Sequence, residues 1–502
     1  MIRAVGAPLV TRTPLRLRPD PGRVVTRLFL PGQELMGNGE SRAAGVVDRI
    51  LALSDDDVAA ALDAVLTGFG SRHRQFRATL EDHFNIVAHR LSAGAPPSSE
   101  RRLLLGAFFT AEYSVEAAAV FNPSIVLHPD QRGTAPGAAR FVMSLRGVGE
   151  GHISCIEFRT GVIGPDGAVS VDDPGPFLVS GRPVETVYER ELFRGTLAEF
   201  GEQGESAAFV LDSLPARFSP SELDRALADL EAQGVTHSGV RTTIDQFREI
   251  ALSNYDTEFP DDSTIAERVL LPTGPTESHG MEDARFVRFV DDDGTPTYYA
   301  TYTAFDGVHV APQLLETTDF RRFRVTQLTG TAAKNKGLAL FPRRIGGRYV
   351  ALSRWDRESN AVATSDDCRS WEAATTLQSP ERPWELLQLG NCGSPVETPE
   401  GWLVLTHGVG PMRVYCIGAI LLDLDDPTKV LAQLSAPLMS PDDSERDGYV
   451  PNVVYSCGPL LHGQRLVIPY GIADAMVGVA VVDLGELLDR LRAETAVATG
   501  GR

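Results

Sequence analysis

Five short segments of the chain share one pattern of apolar and polar residues. Each begins at a turn, continues through about five apolar or aromatic residues, and ends on a polar residue or glycine. The segments are 139–146, 297–303, 347–354, 401–407 and 464–470. The last four recur roughly every 50 to 60 residues, which is typical of one four-stranded blade of a β-propeller. The pattern therefore predicts an all-β fold, a five-bladed β-propeller.

Helical spacing of apolar residues predicts an α-helical extension before the first blade. Ser54 precedes three aspartates, an N-cap arrangement with acids at the positive end of a helix dipole. Two more helices are predicted over 74–91 and 99–119, and a last one over 484–492. Three domains are predicted: a helical extension 1–118, a propeller domain 119–490 and a C-terminal tail 491–502.

The interval between the first and second blade segments is about three times the later spacings, so it must hold an insertion, placed at about 165–265. Ser219 to Glu222 form an N-cap with a proline at the first helical position and a glutamate that closes a capping box. Gly234 is predicted to end this helix, and another is predicted over 243–252. The insertion is therefore expected to be partly helical.

The charge balance narrows the class of partner. The formal net charge is −20, which argues against nucleic acid or an anionic membrane surface as the main partner. Five widely spaced cysteines without a CxxC pair predict neither a disulfide framework nor a zinc site. The first 31 residues hold no apolar run typical of a signal peptide, and no 18-residue apolar stretch occurs. A cytoplasmic location is expected.

The segment Gly280 to Arg285 places two carboxylates and an arginine directly before a strand-like run, where the proton affinity of an acid can be tuned. In a propeller, polar residues at the ends of the blade segments meet in a shared funnel. A funnel with a carboxylic acid among cationic and hydroxyl groups suits a sugar, with or without a phosphate. The alternative is that each residue only caps a strand or pairs with a surface charge. The funnel candidates are Arg146, Arg354, His407, Tyr470 and Asp474.

From about residue 121 to 488, the chain carries eight or more short sequence motifs in the order found in glycoside hydrolase family 130. The chain therefore resembles this family, the β-mannoside phosphorylases and related β-mannosidases. The resemblance implies inverting cleavage of a terminal β-mannosyl unit. Asp283 matches the general acid of the family, although Ala284 replaces the usual proline, and the proton is expected to pass through a hydroxyl of the mannose ring. These motifs include Phe121–Ser124, Met281–Arg285, Tyr302–Gly307, Gly401–Val409 and Tyr449–Gly458.

The resemblance also implies ligands for each substrate. Such an acid must keep its proton near neutral pH; burial and Glu282 are expected to raise its pKa and Arg285 to lower it. Gln388 stands where the family carries a lysine. The implied substrate-binding residues are Asn122, Arg146, Glu282, Arg285 and Asp474, and the implied phosphate-binding residues are Lys336, Arg354, Gln388 and His407.

Three retained basic positions out of four favour phosphorolysis, with α-mannose 1-phosphate as the product. The first alternative is an inverting β-mannosidase that uses water, with Glu385 or Glu397 as its base. A more remote alternative is a non-catalytic carbohydrate-binding propeller. Expected partners are a small-molecule carbohydrate and orthophosphate as co-substrate, without a metal, another cofactor, nucleic acid or membrane. A homo-oligomer is plausible by resemblance.

Overall fold

The structure, a computed structural model, describes residues 9–32, 41–91, 96–202, 204–232 and 238–500. Residues 20–117 with 175–180 form one compact unit, and the remaining described residues form a second, larger one. Every site candidate belongs to the larger unit. No helix in the described part of the chain has the length and apolarity needed to cross a membrane.

Helices and strands alternate unevenly along the chain. The α-helices of the described residues are α1 Arg42–Leu51, α2 Asp55–Phe69, α3 Phe76–Val87, α4 Ser99–Phe108, α5 Arg190–Glu199, α6 Glu205–Ser213, α7 Pro220–Ala232, α8 Ser238–Leu252 and α9 Leu484–Gly500. The strands of the first half are β1 Val10–Leu17, β2 Val24–Leu28, β3 Thr110–Ser114, β4 Ala119–Leu127, β5 Ala139–Val148, β6 Ser154–Ile163, β7 Val169–Val171, β8 Val179–Ser180, β9 Arg182–Val184, β10 Tyr188–Glu189, β11 Arg217–Phe218 and β12 Tyr255–Glu258. Those of the second half are β13 Arg268–Leu270, β14 Gly280–Val290, β15 Pro296–Phe305, β16 Val310–Thr317, β17 Arg322–Gln327, β18 Ala339–Leu340, β19 Tyr349–Ser353, β20 Asn360–Ser365, β21 Ala374–Gln378, β22 Gln388–Asn391, β23 Val396–Thr398, β24 Gly401–Val409, β25 Tyr415–Leu422, β26 Val430–Gln433, β27 Val454–Tyr455, β28 Leu460–His462, β29 Arg465–Ile472 and β30 Met476–Asp483.

The smaller unit combines α1–α4 with one pair of strands. The predicted cap of α2 is confirmed, because Ser54 Oγ accepts a hydrogen bond from the Asp57 amide at 3.2 Å. The prediction of one helix over 99–119 is wrong beyond Phe108. Residues 110–114 instead form β3, which pairs antiparallel with β2, with Tyr113 opposite Val25. The partner strand lies far away in the sequence, so helical spacing alone could not reveal it.

The insertion is partly helical, as the sequence predicts. The capping box of α7 is confirmed, since the Ser219 amide donates to Glu222 Oε2 at 2.7 Å and Ser219 Oγ accepts from the Glu222 amide at 3.3 Å. The predicted end at Gly234 lies outside the described residues. Leu223, Leu227 and other apolar residues of α7 pack with α5, α6 and α8 in a core of their own.

The larger unit is mostly β and is built from antiparallel neighbours. Its strand orders are β1-β30-β29-β27; β4-β5-β6-β14-β15-β16-β17-β12-β9; β18-β19-β20-β21; and β22-β24-β25-β26. The five apolar segments of the sequence coincide with β5, β15, β19, β24 and β29. In the longest order, β6 and β14 are joined by one parallel pair, Gly280 with Ser154. Each segment therefore lies inside an antiparallel group, with a hydrogen-bonded strand on both sides.

Strand β1 pairs with β30, with Val10 opposite Val482. Arg12 on β1 donates to the buried Glu445 at 3.2 Å, and Glu445 Oε1 also accepts from the Tyr470 hydroxyl at 2.5 Å. Tyr470 thus lies in the core against Glu445 and does not join the funnel residues, which corrects the sequence prediction for this side chain. Its apolar ring is buried by the packing of β29, and sequence order alone did not show which way it points.

Candidate active site

Three site residues have left-handed backbone conformations. Asn122 on β4 has φ 48°, Asp283 on β14 has φ 56°, and Asp474 in the turn between β29 and β30 has φ 49°. The register of β4 shifts between Phe121 and Ser124, and that of β14 shifts between Glu282 and Arg285. Such bulges re-aim side chains, and Asn and Asp are the residue types that best tolerate this conformation. Backbone strain of this kind concentrates at functional sites.

Around Asp283, ion pairs and hydrogen bonds connect four elements. Asp283 Oδ1 accepts from Asn122 Nδ2 at 2.7 Å and from Arg146 Nη1 at 3.3 Å. Arg146 Nη2 also donates to Glu282 Oε1 at 2.7 Å, and the other oxygen of Glu282 accepts from Lys336 Nζ. We call this group the acid cluster, defined as Asn122, Arg146, Glu282, Asp283 and Lys336. Lys336, predicted as a phosphate ligand, is therefore paired with Glu282 in this structure.

The surroundings of Asp283 favour its ionised form. Burial raises the pKa of this carboxyl, but the charges of Arg146, Arg285 and Lys336 and the hydrogen bond from Asn122 outweigh burial and lower the pKa to about 2. The expectation that Asp283 keeps a proton near neutral pH is thus wrong for this structure. The sequence showed the neighbouring Arg285, but it did not show that Arg146 and Lys336 also converge there.

Asp474 behaves in the opposite way. Burial and the nearby charge of Asp283 raise the pKa of Asp474 to about 6, although Arg146 and Arg413 pull it down. The two carboxyls therefore differ in protonation over the weakly acidic range. Asp474 is the one that binds a proton closer to neutral pH.

A second group surrounds His407, on β24. His407 Nδ1 lies 3.0 Å from the Asn391 carbonyl oxygen, and its Nε2 lies 3.2 Å from Arg354 Nη1 and 3.4 Å from Gln388 Nε2. The ring of Tyr455 meets the imidazole edge-on, with centroids 4.9 Å apart. We call this group the histidine cluster, defined as Arg354, Gln388, Asn391, His407 and Tyr455. Burial, and next the charge of Arg354, hold the pKa of His407 well below its usual value.

Arg285 connects the two clusters. Its Nη1 donates to the Asp283 carbonyl oxygen at 2.9 Å, and its Nη2 donates to the Tyr455 hydroxyl at 2.8 Å. The Nε atoms of Arg285 and Arg354 are buried and make no hydrogen bond with the described residues. Burial, together with the like charge of Arg285, lowers the pKa of Arg354, although Tyr455 acts the other way. Both guanidinium groups therefore retain donor capacity in a buried setting.

The two alternative bases are already paired. Glu385 is buried and accepts from Arg382 Nη1 at 2.9 Å, and it also accepts from the Arg382 amide at 3.2 Å. Glu397 accepts from Arg343 Nη2 at 2.8 Å on an exposed surface. Among the described residues no group of three His, Cys, Asp or Glu side chains is placed to hold a metal ion.

Two contributors were not assigned a role from the sequence. Tyr455 lies inside one of the motifs that carry the family resemblance. Only the structure shows that it accepts from Arg285 and packs against the ring of His407. Asn391 acts through its backbone carbonyl, which no side-chain motif can reveal. Gly390 gave a usable signal: a Cβ at this position would lie 2.4 Å from His407 Cε1, so only glycine permits the imidazole to approach β22.

Parts of this sequence match known proteins. A model of glycoside hydrolase family 130, described as beta-1,4-mannooligosaccharide phosphorylase, matches residues 254–493. The chain is 33% identical over 220 residues to a 1,2-beta-oligomannan phosphorylase of a Thermoanaerobacter species, covering 42% of this chain and 71% of that protein. It is 34% identical over 241 residues to a beta-1,2-mannobiose phosphorylase of Listeria innocua, covering 46% of this chain and 66% of that protein.

A solved structure gives a further comparison. The beta-1,2-mannobiose phosphorylase from Listeria innocua, in complex with beta-1,2-mannobiose, aligns at 23% identity and a TM-score of 0.43. The alignment covers 76% of this chain and 93% of that chain. On the strength of the sequence matches, this chain belongs to glycoside hydrolase family 130.

Proposed function

We propose that this chain is a mannoside phosphorylase, which cleaves a terminal β-mannosidic bond with inversion by transferring the mannosyl group to orthophosphate. The product is α-mannose 1-phosphate. One observation carries the choice of phosphate: among the described residues, no carboxylate side chain bonds to Arg354, Gln388 or His407. Arg354 and Gln388 are half-buried donors beside the buried His407, and this group therefore suits an anion that arrives from outside.

Phosphate fits the histidine cluster by charge and by donor geometry. Guanidinium groups bind tetrahedral oxyanions through several N–H donors, and such charge-assisted hydrogen bonds are stronger than neutral ones. Arg354 has a buried Nε free for this purpose, and Arg285 offers a second such atom. Bound phosphate would also offset the like charges of these two arginines. Gln388 adds an amide donor without charge.

The acid cluster is assigned to the sugar and to proton transfer. Asp283 is the proposed general acid, with the proton passing through a mannose hydroxyl to the leaving oxygen. Asn122, Arg146 and Asp474 are proposed to hold the terminal mannose, while Glu282 positions Arg146 and Lys336 through its two oxygens. In the reaction a phosphate oxygen bonds to C1 as the glycosidic C–O bond breaks. Hydrogen phosphate brings one proton and the leaving sugar departs with one, so the balance closes.

Asp283 must gain a proton before it can act as an acid. Its low pKa in this structure comes from three cations, so a bound anion that attracts these cations is expected to raise the pKa. Lys336 is the most accessible of these cations, because its side chain is 36% exposed while that of Arg146 is 19% exposed and Arg285 is buried. Release of Lys336 from Glu282 toward phosphate would join the predicted phosphate role of this lysine to the protonation of Asp283.

A hydrolase on the same fold needs a second carboxylate that activates water, about 6.5–9.5 Å from the acid. Glu385 and Glu397, the candidates from the sequence, are engaged with Arg382 and Arg343. This pairing favours phosphorolysis over hydrolysis. A non-catalytic carbohydrate-binding role would not require the strained backbone at Asp283.

The finer description of the fold is also proposed: a five-bladed β-propeller. Its support is the coincidence of the five apolar segments with β5, β15, β19, β24 and β29, each inside an antiparallel group. Site residues follow or end several of these strands, as a shared funnel requires. The domain limits, the cytoplasmic location and the homo-oligomer stay predictions.

The direct test measures sugar release from β-1,2-mannobiose, β-1,4-mannobiose and mannosyl-glucose, each with and without orthophosphate. We expect mannose 1-phosphate to form only when phosphate is present, and with the α configuration by NMR of the fresh product. Free mannose released at equal rates with and without phosphate would contradict the proposal. The three sugars also report the linkage, because the relatives include enzymes named for β-1,2 and for β-1,4 linkages.

A further inference from the structure

We infer that His407 receives its anion as a hydrogen-bond acceptor, so that the site selects a tetrahedral oxyanion that carries a proton and rejects one that carries none. Hydrogen phosphate and hydrogen arsenate belong to the first class at neutral pH, and sulfate belongs to the second. The inference rests on the proposed function, because it concerns the anion used there. It assigns to His407 a role in specificity in place of the positive charge expected from the sequence.

The tautomer of His407 follows from the partner of its Nδ1 atom. That partner is the Asn391 backbone carbonyl oxygen at 3.0 Å, which can only accept a hydrogen bond. The proton of a neutral imidazole therefore resides on Nδ1. Because β22 and β24 pair with Gly390 opposite His407, the sheet itself fixes this contact.

The partners of Nε2 support the same assignment. Arg354 Nη1 at 3.2 Å is a donor and cannot accept, so Nε2 presents its lone pair to the guanidinium. The amide nitrogen of Gln388 approaches the same atom at 3.4 Å. Both neighbours that approach Nε2 thus treat it as an acceptor.

Protonation of Nε2 is opposed by the surroundings. His407 is buried, and the positive charges of Arg354 and Arg285 act against an imidazolium. The charged groups that act on it also include Asp283, which favours the cation but does not prevail. An anion that draws the N–H groups of Arg354 and Gln388 to its own oxygens takes their place at Nε2 and meets the single lone pair of the imidazole. A P–OH or As–OH group can donate to it, whereas a fully ionised sulfate oxygen opposes one acceptor to another.

Gln388 strengthens the selection. A lysine at this position, as the family resemblance implies, would add a full positive charge beside the imidazole. Gln388 supplies a neutral amide, and hydrogen phosphate and sulfate both carry two negative charges, so charge at this position does not separate the two anions. The cluster consequently depends more on a matched hydrogen bond at Nε2 than on net charge.

Calorimetric titration of the full chain with sodium phosphate, arsenate and sulfate at constant ionic strength and pH 7.5 tests the inference. Phosphate and arsenate are expected to bind within about tenfold of each other. Sulfate is expected to bind at least about 100-fold more weakly, because its oxygen and His407 Nε2 would face each other as two acceptors without a proton between them. Sulfate that binds as tightly as arsenate would overturn the inference and leave the proposed function intact. If phosphate itself fails to bind, the proposed function fails, and the inference falls with it.

A variant pair separates the imidazole from general effects. In His407→Gln the side-chain amide can turn either its oxygen or its nitrogen to the anion, so sulfate should bind to within about tenfold of phosphate. His462→Gln is the matched control, because its Nε2 contacts the Gly137 carbonyl and it is not part of either cluster. The control should keep the discrimination of the unaltered chain. Retained discrimination in His407→Gln would contradict the role of Nε2.

A spectroscopic measurement guards against a variant that does not fold. In the unaltered chain labelled with ¹⁵N-histidine, His407 should show the proton on Nδ1 and a non-protonated Nε2 at pH 7.5, with and without sulfate. On addition of phosphate the Nε2 resonance should shift as it accepts a hydrogen bond. A proton found on Nε2 in the free chain would overturn the inference.

Discussion

The acid cluster and the histidine cluster treat positive charge in opposite ways. In the acid cluster, Arg146 faces Glu282 and Asp283, and Lys336 faces Glu282, all at hydrogen-bond distance. In the histidine cluster, Arg354 faces a neutral imidazole instead. The first group is held together by its own ion pairs. The second keeps the half-buried charge of Arg354, whose buried Nε makes no hydrogen bond with the described residues, so the natural counterpart of this charge is a ligand.

This difference separates positioning from recognition. Where Arg146 bonds to two carboxylates, the geometry around Asp283 is set before the substrate arrives, and loss of one member disturbs the others. Where the cation has none, the cost of its burial is offset when an anion binds. Substitutions in the two clusters should therefore affect different kinetic constants.

Asp283→Asn should have the largest effect, because it removes the proposed acid and the negative charge that Arg146 contacts. We expect kcat for mannoside phosphorolysis to fall by at least about 10³-fold. Asp366→Asn, in an exposed ion pair with Arg348, is the control and should leave kcat unchanged. Unaltered turnover in Asp283→Asn would remove the acid cluster from the chemistry.

Arg354→Ala should raise KM for phosphate by about 100-fold while KM for the mannoside changes by less than about threefold, because a charge-assisted contact to one substrate is lost. The matched control is Arg348→Ala, which disrupts the exposed pair with Asp366. Initial rates over a grid of both substrates separate the two constants. An equal rise in both would show that Arg354 supports the whole site and not the anion alone.

Asp474→Asn tests a carboxyl whose pKa is raised. The folded chain binds this proton more tightly than the unfolded chain, so its contribution to stability is present below about pH 4 and is lost as pH rises through about 6. The asparagine variant should lack this loss, which amounts to about 2 kcal/mol in the free energy of unfolding. Urea unfolding at pH 4.5, 5.5 and 7 measures it. Identical pH profiles for both chains would place Asp474 in a water-like setting.

Gln388→Lys is expected to have the smallest effect of these substitutions. The lysine adds a positive charge beside Arg354 and should lower KM for phosphate by about tenfold at low ionic strength. Gln388→Met, of similar volume, removes the amide donor without adding charge and should raise that constant. A rise in KM for phosphate in Gln388→Lys would show that further positive charge in the histidine cluster does not favour phosphate binding.

Much of the local structure could be predicted from the sequence. The apolar segments at β5, β15, β19, β24 and β29 encode strands by their own pattern, and the caps at Ser54 and Ser219 are local hydrogen bonds. The residues that share a cluster were identified largely by the family resemblance. Such features can be predicted from a short stretch of sequence or from motifs that match a known family.

The remaining features depend on contacts between distant segments. Lys336 bonds to Glu282, which no spacing in the sequence indicates, and the convergence of Arg146 and Lys336 reverses the expected pKa shift of Asp283. The tautomer of His407 depends on a backbone carbonyl. Strand β3 became visible only with its partner β2. In each case the deciding group lies on another element of the fold.

The pairing of β1 with β30 has a consequence for biosynthesis. Strand β1 is synthesised long before its partner β30, and Asp474 lies in the hairpin that ends in β30. Until then β1 has no strand to pair with, and the sheet that carries Asp474 has an open edge, a state prone to association with other chains. The proposed sugar site is therefore completed only after β30 has been synthesised.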